Sequence, residues 1–270
     1  HQAEIIRTMS PAAREILREW ANQYLRSENP RTPSEDDMRG MISLLHKGKE
    51  STDNTSDWRP VVLLDAVNQL LGHIVNQRLR DIVEKAGILE PGQGGYREHR
   101  STDINTAKMR RLTIRAKRQK QQLLRIDLDF TNAYNAMSQP ALWAIMRAFN
   151  IPDVDLLEAM YKHSTVRMKP NSDQNATITF DTGVAQGSVL SPLLFIVFIN
   201  ALLRVLTQTG QKENISHGIN GLDDFNNLAF SDDMSIFAQD AHKMQKLLER
   251  VEKFESWSGI KLNPKKTHKM

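Results

Sequence analysis

The segment that most restricts the fold is the run of residues 189–206, which is almost entirely apolar. Its length approaches that of a helix that crosses a membrane. Pro192, Asn200 and Arg204 lie inside the run, however, and they argue against a membrane span. The run therefore predicts a buried helix, capped and started by Ser191 and Pro192.

The rest of the composition fits a soluble globular protein that can surround such a helix. Of the 270 residues, 40% are hydrophobic and 25% are charged, so a substantial core fits into one large domain or two intimate subdomains. Cysteine is absent, which excludes disulfides and thiolate zinc sites within this sequence. The chain starts at His1 rather than at a methionine, and we expect it to be a segment of a longer protein.

Helical and strand-like patterns alternate along the chain. Apolar residues at helical spacing predict helices, which we place at residues 5–25, 63–83, 108–120, 139–149 and 244–257. Short apolar or alternating runs predict strands, which we place at residues 41–45, 123–130, 176–180 and, as a hairpin, 228–238. Helices interleaved with antiparallel strands indicate an α+β fold.

Basic residues are concentrated in residues 97–125, where ten lysines and arginines face only Glu98 and Asp103. Such a stripe attracts a polyanion, because binding releases the counterions condensed on a nucleic acid. A solvated helix face has the same composition. The run alone leaves both interpretations open.

Three pairs of adjacent aspartates differ in their surroundings. The pairs at 36–37 and 223–224 lie in polar stretches, and we expect both to be solvated. Asp232 and Asp233 instead lie between the apolar residues 228–230 and the largely apolar residues 234–237. Two carboxylates at the tip of an apolar hairpin repel each other and lose hydration, which a bound divalent cation would relieve. An acidic surface turn is the alternative.

A second acidic strand end lies about a hundred residues upstream. Asp127 and Asp129 alternate on one face of the predicted strand 123–130. Two metal ions that join a hydroxyl to a triphosphate need carboxylates that converge from separate strands. The two acidic segments can supply them.

Here the chain resembles the reverse transcriptases, in the form found in non-LTR retrotransposons. The resemblance rests on the order and the residues of six segments. The three catalytic segments are 129–135 (Asp-Phe-Thr-Asn-Ala-Tyr-Asn), 183–195 (Gly-Val-Ala-Gln-Gly-Ser-Val-Leu-Ser-Pro-Leu-Leu-Phe) and 230–233 (Phe-Ser-Asp-Asp). The other three are 58–60 (Trp-Arg-Pro), 93–102 (Gln-Gly-Gly-Tyr-Arg-Glu-His-Arg-Ser-Thr) and 259–267 (Gly-Ile-Lys-Leu-Asn-Pro-Lys-Lys-Thr). Ser231 departs from the more usual alanine.

The resemblance implies the fingers and palm of a right-hand polymerase, with an antiparallel palm sheet packed on helices and no thumb in this segment. Residues 1–122 would be mainly fingers with an N-terminal helical extension. Residues 123–270 would be mainly palm, with a fingers-proximal part around 150–185. We expect the thumb and any endonuclease domain elsewhere in the parent chain.

The resemblance also implies a catalytic centre. Asp129, Asp232 and Asp233 would be the catalytic carboxylates, and two Mg²⁺ ions, with Mn²⁺ as an alternative, would be the cofactors. Asp129, Asp232 and the backbone carbonyl of Phe130 would bind the metal, with Asp233 in support. Asp127 would then be a neighbouring strand residue.

Further residues would bind the substrates. Tyr134 would exclude a 2′-hydroxyl, and Lys266 would protonate the leaving pyrophosphate, although Lys265 is adjacent. The other predicted nucleotide-binding residues are Lys47, Arg59, Gln186 and Gly187. The predicted nucleic-acid-binding residues are Arg97, Arg100, Lys108, Arg111 and Arg115.

The expected activity is RNA-directed DNA polymerisation in retrotransposition, with an RNA template, a DNA or RNA primer and dNTPs as partners and no membrane. We expect an intracellular protein, nuclear if the element is eukaryotic. The residues leave four alternatives open: a catalytically inactive RNA-binding scaffold, a group II intron maturase, an RNA-dependent RNA polymerase and a domesticated cellular gene.

Overall fold

The computed structural model describes residues 8–26, 30–48, 53–54, 57–168, 177–179, 181–215, 217–219 and 222–269. At 66–67, 168, 217–219, 222–224 and 268–269 it describes the backbone alone. The chain divides into two compact units. The first comprises His1–Ile82 and Asn150–Ser191, and the second comprises Val83–Phe149 and Pro192–Met270.

Helices and strands alternate through both units, which confirms the predicted α+β class. The described helices are α1 (Pro11–Leu25), α2 (Ala66–Lys85), α3 (Thr102–Gln119), α4 (Ala133–Ala136), α5 (Gln139–Ala148), α6 (Val154–Lys162), α7 (Ser191–Glu213) and α8 (Ala241–Ser258). The described strands are β1 (Arg39–His46), β2 (Trp58–Leu64), β3 (Leu124–Leu128), β4 (Phe130–Thr131), β5 (Thr165–Met168), β6 (Thr177–Thr179), β7 (His217–Ile219), β8 (Leu222–Phe225), β9 (Asn227–Phe230), β10 (Asp233–Ala238), β11 (Lys261–Leu262) and β12 (His268–Lys269).

The first unit contains a four-stranded sheet in the order β2-β1-β5-β6. β1 runs antiparallel to β2 and parallel to β5. One face of this sheet is buried around Val62 and Val166, which pack with Ala185. Since neighbouring residues of a strand point to opposite faces, Met41 and Leu63 lie on the other face, opposite each other and partly exposed.

The second unit contains a four-stranded sheet in the order β12-β3-β10-β9. β9 and β10 form a hairpin, and β10 also pairs antiparallel with β3. On one face of this sheet Leu228 and Phe237 pack against Leu112 of α3. The two-residue strands β4 and β11 pair beside the end of β3, so the chain just after β3 is fixed.

α7 is the apolar segment singled out in the sequence. By length and composition it could cross a membrane, but 72% of its most apolar stretch is buried inside the protein. Asn200 is fully buried, and its side-chain amide donates to the carbonyl of Ile88 and accepts from the N–H of Glu90. Because a buried amide is tolerated when it is hydrogen-bonded, the polar residues of the run fit a core helix. The predicted burial is confirmed.

Most predicted elements occur within a few residues of their expected bounds. α1 begins at Pro11, and the hydroxyl of Ser10 just before it accepts from the N–H of Ala13. The predicted helix 63–83 is wrong at its start, because Leu63 pairs with Met41 within β2 and the helix begins only at Ala66. Sheet pairing across the chain decided this boundary.

Several predictions concern residues that are not described. Ile5 and Ile6 of the first predicted helix lie outside the described residues, as do Ala176 and Phe180 at the ends of the predicted strand 176–180. The side chains of the acidic pair 223–224 also lie outside them. The division into compact units does not decide which residues act as fingers or palm, so the predicted boundary at residue 122 stays a prediction.

Candidate active site

The acidic segments meet at one end of the β3–β10 pair. Leu128, the last residue of β3, lies opposite Met234 of β10. Asp129 is the next residue after Leu128, and Asp233 is the residue just before Met234. The turn between β9 and β10 carries Asp232 beside them. Antiparallel pairing therefore brings Asp129 to the same end of the sheet as the Asp232–Asp233 turn, as the strand pattern predicted.

The charges at this end of the sheet interact. The pKa of the Asp233 carboxyl is raised, first because burial costs it hydration and then because the negative charges of Asp232 and Asp129 are close. Lys266 acts in the opposite direction on the same pKa. The site is thus a cluster of three like charges that a cation would stabilise.

Lys266 is brought to the site by the pairing of β11 with β4. Leu262 of β11 pairs with Phe130 of β4, and the N–H of Asn263 donates to the carbonyl of Asp129 at 2.7 Å. The chain then turns, and the Nζ atom of Lys266 lies 3.8 Å from Oδ2 of Asp129. The predicted Lys266 is therefore beside the carboxylates. Its role in protonating pyrophosphate stays a prediction.

Asp127 is engaged in the sheet. Its carboxylate accepts from Nε of Arg125 at 2.8 Å and from the hydroxyl of Ser235, its cross-strand neighbour. This geometry agrees with its interpretation as a strand residue outside the metal set. A cavity of about 360 Å³ opens beside this face of the sheet, and both Asp129 and Asp233 line it.

The donor chemistry of this end of the sheet fits a hard divalent cation, because carboxylate oxygens are the ligands that magnesium prefers. Asp233 is destabilised as an anion by its two neighbours, which is the imbalance that bound cations correct. Within the described part of the chain, no three acidic, histidine or cysteine side chains are grouped closely enough to hold a metal ion as they stand. The residues fit the metal by chemistry, and the assignment of Phe130 as a carbonyl ligand stays a prediction.

Tyr134 lies close to the acidic turn, on the short helix α4. Its ring stacks on Phe195 of α7, with the ring centres 4.4 Å apart and the planes 13° from parallel. Its hydroxyl lies 3.0 Å from the hydroxyl of Ser231. Burial raises the pKa of the Tyr134 phenol, which therefore stays neutral. Tyr134, the residue predicted to contact the sugar, is thus held by Phe195 against its ring and by Ser231 at its hydroxyl.

The predicted nucleotide-binding residues of the first unit lie on or beside β2. Arg59 is exposed on β2, opposite Leu45 of β1, and Lys47 is exposed just after β1. The carbonyl of Gln186 accepts from the N–H of Val62 at 2.6 Å, which brings the loop containing Gly187 onto β2. Their assignment to nucleotide stays a prediction.

A side chain at position 187 could not be accommodated. Gly187 has φ +115°, and a Cβ atom there would lie 2.4 Å from the carbonyl oxygen of Val62. Glycine permits both this conformation and this close approach of two backbones. The glycine of the Gln186–Gly187 pair therefore has a structural reason that is independent of any ligand.

Arg97 differs from the other predicted nucleic-acid contacts. Its guanidinium is nearly buried, with 10% of the side chain exposed, and it makes two bonds of 2.8–2.9 Å to the carboxylate of Glu84. It also donates to the carbonyls of Glu90 and Gln93. This geometry favours a structural role for Arg97 over a contact with the template.

The remaining basic candidates are more accessible. Arg100 precedes α3 and is exposed, and on α3 itself Arg111 is exposed while Lys108 and Arg115 are half-buried. Only Leu112 of α3 is fully buried, so most of the helix surface faces solvent. The basic stripe is a helix face, as expected, and its binding to nucleic acid stays a prediction.

Gln93 was not singled out from the sequence, yet it holds the acidic turn. The side chain is fully buried, its Oε1 accepts from the N–H groups of Ser231 and Gly95, and its Nε2 donates to the carbonyl of Ser231. A glutamine flanked by glycines, in a loop otherwise suited to close backbone approach, is the signal that could have indicated it.

Comparison with known proteins agrees with this geometry. The family described as "Reverse transcriptase (RNA-dependent DNA polymerase)" matches residues 46–270. The chain is 28% identical over 219 residues to a retrovirus-related Pol polyprotein from type-1 retrotransposable element R2 of Popillia japonica, covering 80% of this chain and 30% of that protein. It is 25% identical over 158 residues to a probable RNA-directed DNA polymerase from transposon BS of Drosophila melanogaster, covering 58% and 17%.

The fold also resembles a solved structure. Apo telomerase from Candida tropicalis, truncated from the C-terminal domain, superimposes with a TM-score of 0.62 at 15% identity, covering 87% of this chain and 50% of that one. This likeness shows the fold alone. The chain spans less than a third of the length of the two curated relatives given above.

Proposed function

Because the chain belongs to the reverse transcriptase family, of the non-LTR retrotransposon type that its motifs predicted, we propose that it copies an RNA template into DNA during retrotransposition. The observation that carries this proposal is the meeting of Asp129 with the Asp232–Asp233 turn at one end of the β3–β10 pair. The substrates would be dNTPs and a DNA or RNA primer. Further domains of the parent protein would complete the machinery.

Members of this family generally use divalent metal ions. We propose that Asp129 and Asp232 hold two Mg²⁺ ions, with Asp233 beside them. When bound, such ions lower the pKa of the primer hydroxyl and stabilise the charge on the leaving oxygen. The protein's contribution is to fix the carboxylates on two paired strands, so that little rearrangement is needed when the substrates bind.

Other residues would orient the substrates. Lys266, beside Asp129, would donate a proton to the leaving pyrophosphate. Arg59 would bind the triphosphate with its guanidinium fork, with Lys47 as a second cation. Tyr134 would lie under the sugar and exclude a 2′-hydroxyl. We further propose an intracellular, and in a eukaryote nuclear, site of action.

Primer extension on an RNA template tests the proposal. The full-length parent protein with Mg²⁺ is expected to extend the primer with dNTPs in preference to rNTPs, and Asp232→Ala is expected to reduce the rate by at least about a thousandfold, since it removes a metal ligand. Asp36→Ala is the matched control. Asp36 belongs to another acidic pair, and its own side chain is 78% exposed, so we expect this variant to retain the wild-type rate.

Three results would contradict the proposal. Wild-type protein that makes no product would favour the inactive RNA-binding scaffold. A preference for rNTPs would favour an RNA polymerase. Equal product from Asp232→Ala would remove the acidic turn from the chemistry.

A further inference from the structure

Ser231 adopts a backbone conformation that few residues other than glycine adopt. Its φ is +61°, in the left-handed region, which costs a residue with a side chain about 1 kcal/mol. The conformation is held by Gln93, whose side-chain amide bonds to both the N–H and the carbonyl of Ser231, at 3.0 and 3.3 Å. The turn that carries the catalytic carboxylates is therefore held by the loop that contains Gln93.

The fixed turn directs the Ser231 side chain towards Tyr134. The serine is 6% exposed, and its Oγ lies 3.0 Å from the Tyr134 hydroxyl. Phe195 covers one face of the tyrosine ring, and Tyr96 also hydrogen-bonds to the phenol. Stacking limits tilting of the ring, and the bond to Ser231 limits displacement of its tip.

We propose that Ser231, oriented by Gln93, is a positioning residue for Tyr134 and sharpens the choice of deoxyribonucleotides over ribonucleotides. The selectivity role rests on the proposed function. A steric gate discriminates only as far as the ring resists displacement by the 2′-hydroxyl, so a ring that also bonds to Ser231 discriminates better than a ring without this bond. Alanine, the more usual residue at this position in the family, cannot make this bond.

A double-mutant cycle tests the coupling, with the ratio of kcat/KM for dNTP to that for rNTP as the readout. Ser231→Ala and Tyr134→Phe are each expected to lower this ratio by roughly three- to tenfold, the range for loss of one hydrogen bond. The double variant is expected to lower it no further than Tyr134→Phe alone, because that change already removes the bond to Ser231. For Ser231→Ala the kcat for dNTP is expected to stay within about twofold, since that sugar does not press on the ring.

Two further variants separate positioning from folding. Ser231→Gly removes the hydroxyl without strain at positive φ, and it is expected to lower the ratio as Ser231→Ala does. Ser235→Ala removes another hydroxyl from the same hairpin, one that bonds to Asp127, and it is expected to leave the ratio unchanged. Wild-type ratios in both Ser231 variants, or additive effects in the double variant, would overturn the inference.

A spectroscopic readout distinguishes this inference from the proposed function. In full-length protein labelled with 3-fluorotyrosine, Tyr134→Phe removes one ¹⁹F NMR signal and thereby assigns it, and Tyr24→Phe and Tyr161→Phe assign two others in the same way. Ser231→Ala is expected to shift the Tyr134 signal and to leave those of Tyr24 and Tyr161 unmoved. An unmoved Tyr134 signal overturns the inference whatever the activity. A shifted signal in a full-length protein that extends no primer overturns the proposed function, and the selectivity role with it.

Discussion

Two loops of this chain place a glutamine next to a glycine, and they use the glutamine differently. In the second unit, the side chain of Gln93 is fully buried and bonds to the backbone of Ser231. In the first unit, the side chain of Gln186 is half-buried, and it is the backbone carbonyl of this residue that bonds to Val62. The Gln93 loop is therefore held through a side chain in addition to the main chain, where the N–H of Gly94 donates to the carbonyl of Ala229 at 2.8 Å.

The glycines of the two loops are used alike. A Cβ atom at Gly95 would lie 2.3 Å from the N atom of Ser231, and one at Gly187 would lie 2.4 Å from the carbonyl oxygen of Val62. Each glycine lets its loop approach another backbone more closely than any side chain permits. Glycine therefore marks the close approach in both loops, whereas the glutamine has a different set of contacts in each.

The difference follows from what each loop supports. The turn held by Gln93 carries Asp232 and Asp233, and burial and like charge make the second of these unfavourable as an anion. A buried amide that donates and accepts at the same residue fixes such a turn without adding charge. The loop at Gln186 lies against β2 through the bond from the N–H of Val62 to the carbonyl of Gln186, and it carries none of the three predicted catalytic carboxylates.

The largest expected effect comes from closing the approach at Gly95. Gly95→Ala places a methyl group against the backbone of Ser231, where no flexible side chain can yield. We expect a loss of more than about 2 kcal/mol in the free energy of unfolding, measured by urea denaturation, and loss of primer extension. Gly94→Ala is the matched control, because its nearest neighbour is the side-chain end of Asn105 at 3.2 Å, and we expect it to cost less than about 1 kcal/mol. Equal stabilities for the two variants would show that the loop does not press on the turn.

Replacing the glutamines is expected to have a smaller effect, on stability in the Gln93 loop and on the KM for dNTP in the Gln186 loop. Gln93→Met leaves the N–H and carbonyl of Ser231 buried without their partner, so we expect a loss of about 1–2 kcal/mol in the free energy of unfolding. Gln186→Met is expected to change that free energy by less than about 1 kcal/mol and to raise the KM for dNTP instead. Urea denaturation and steady-state kinetics on the same two variants measure both quantities. If Gln186→Met lowered the free energy of unfolding more than Gln93→Met does, the Gln186 side chain would be the one that supports its loop.

The sequence predicted the parts of the site that depend on local pattern. Strand alternation and apolar flanks indicated the two acidic segments, and antiparallel pairing then brought Asp129 beside Asp233. The apolar run containing Asn200 predicted a buried helix from its own composition, which admits few other structures. Local patterns of this kind are read within one segment of chain.

Contacts between distant segments could not be predicted in this way. Arg97 lies in a basic stripe and was assigned to nucleic acid, but its partner Glu84 lies on a different element, thirteen residues away. Ser231 had no explanation within its own motif, because the hydroxyl that it contacts, on Tyr134, lies 97 residues upstream. Pairing partners of this sort are fixed by the fold rather than by neighbouring residues.

Iron-directed cleavage shows whether Asp129 and the Asp232–Asp233 turn form one metal centre. Fe²⁺ replaces Mg²⁺ at carboxylate sites and, with ascorbate and peroxide, generates hydroxyl radicals that cut the nearby backbone. We predict cuts in the full-length protein near residues 129 and 232, suppressed together by excess Mg²⁺ and abolished together by Asp232→Ala. Cuts near only one of the two segments, or cuts near 129 that persist in Asp232→Ala, would show that the two segments do not share a metal centre.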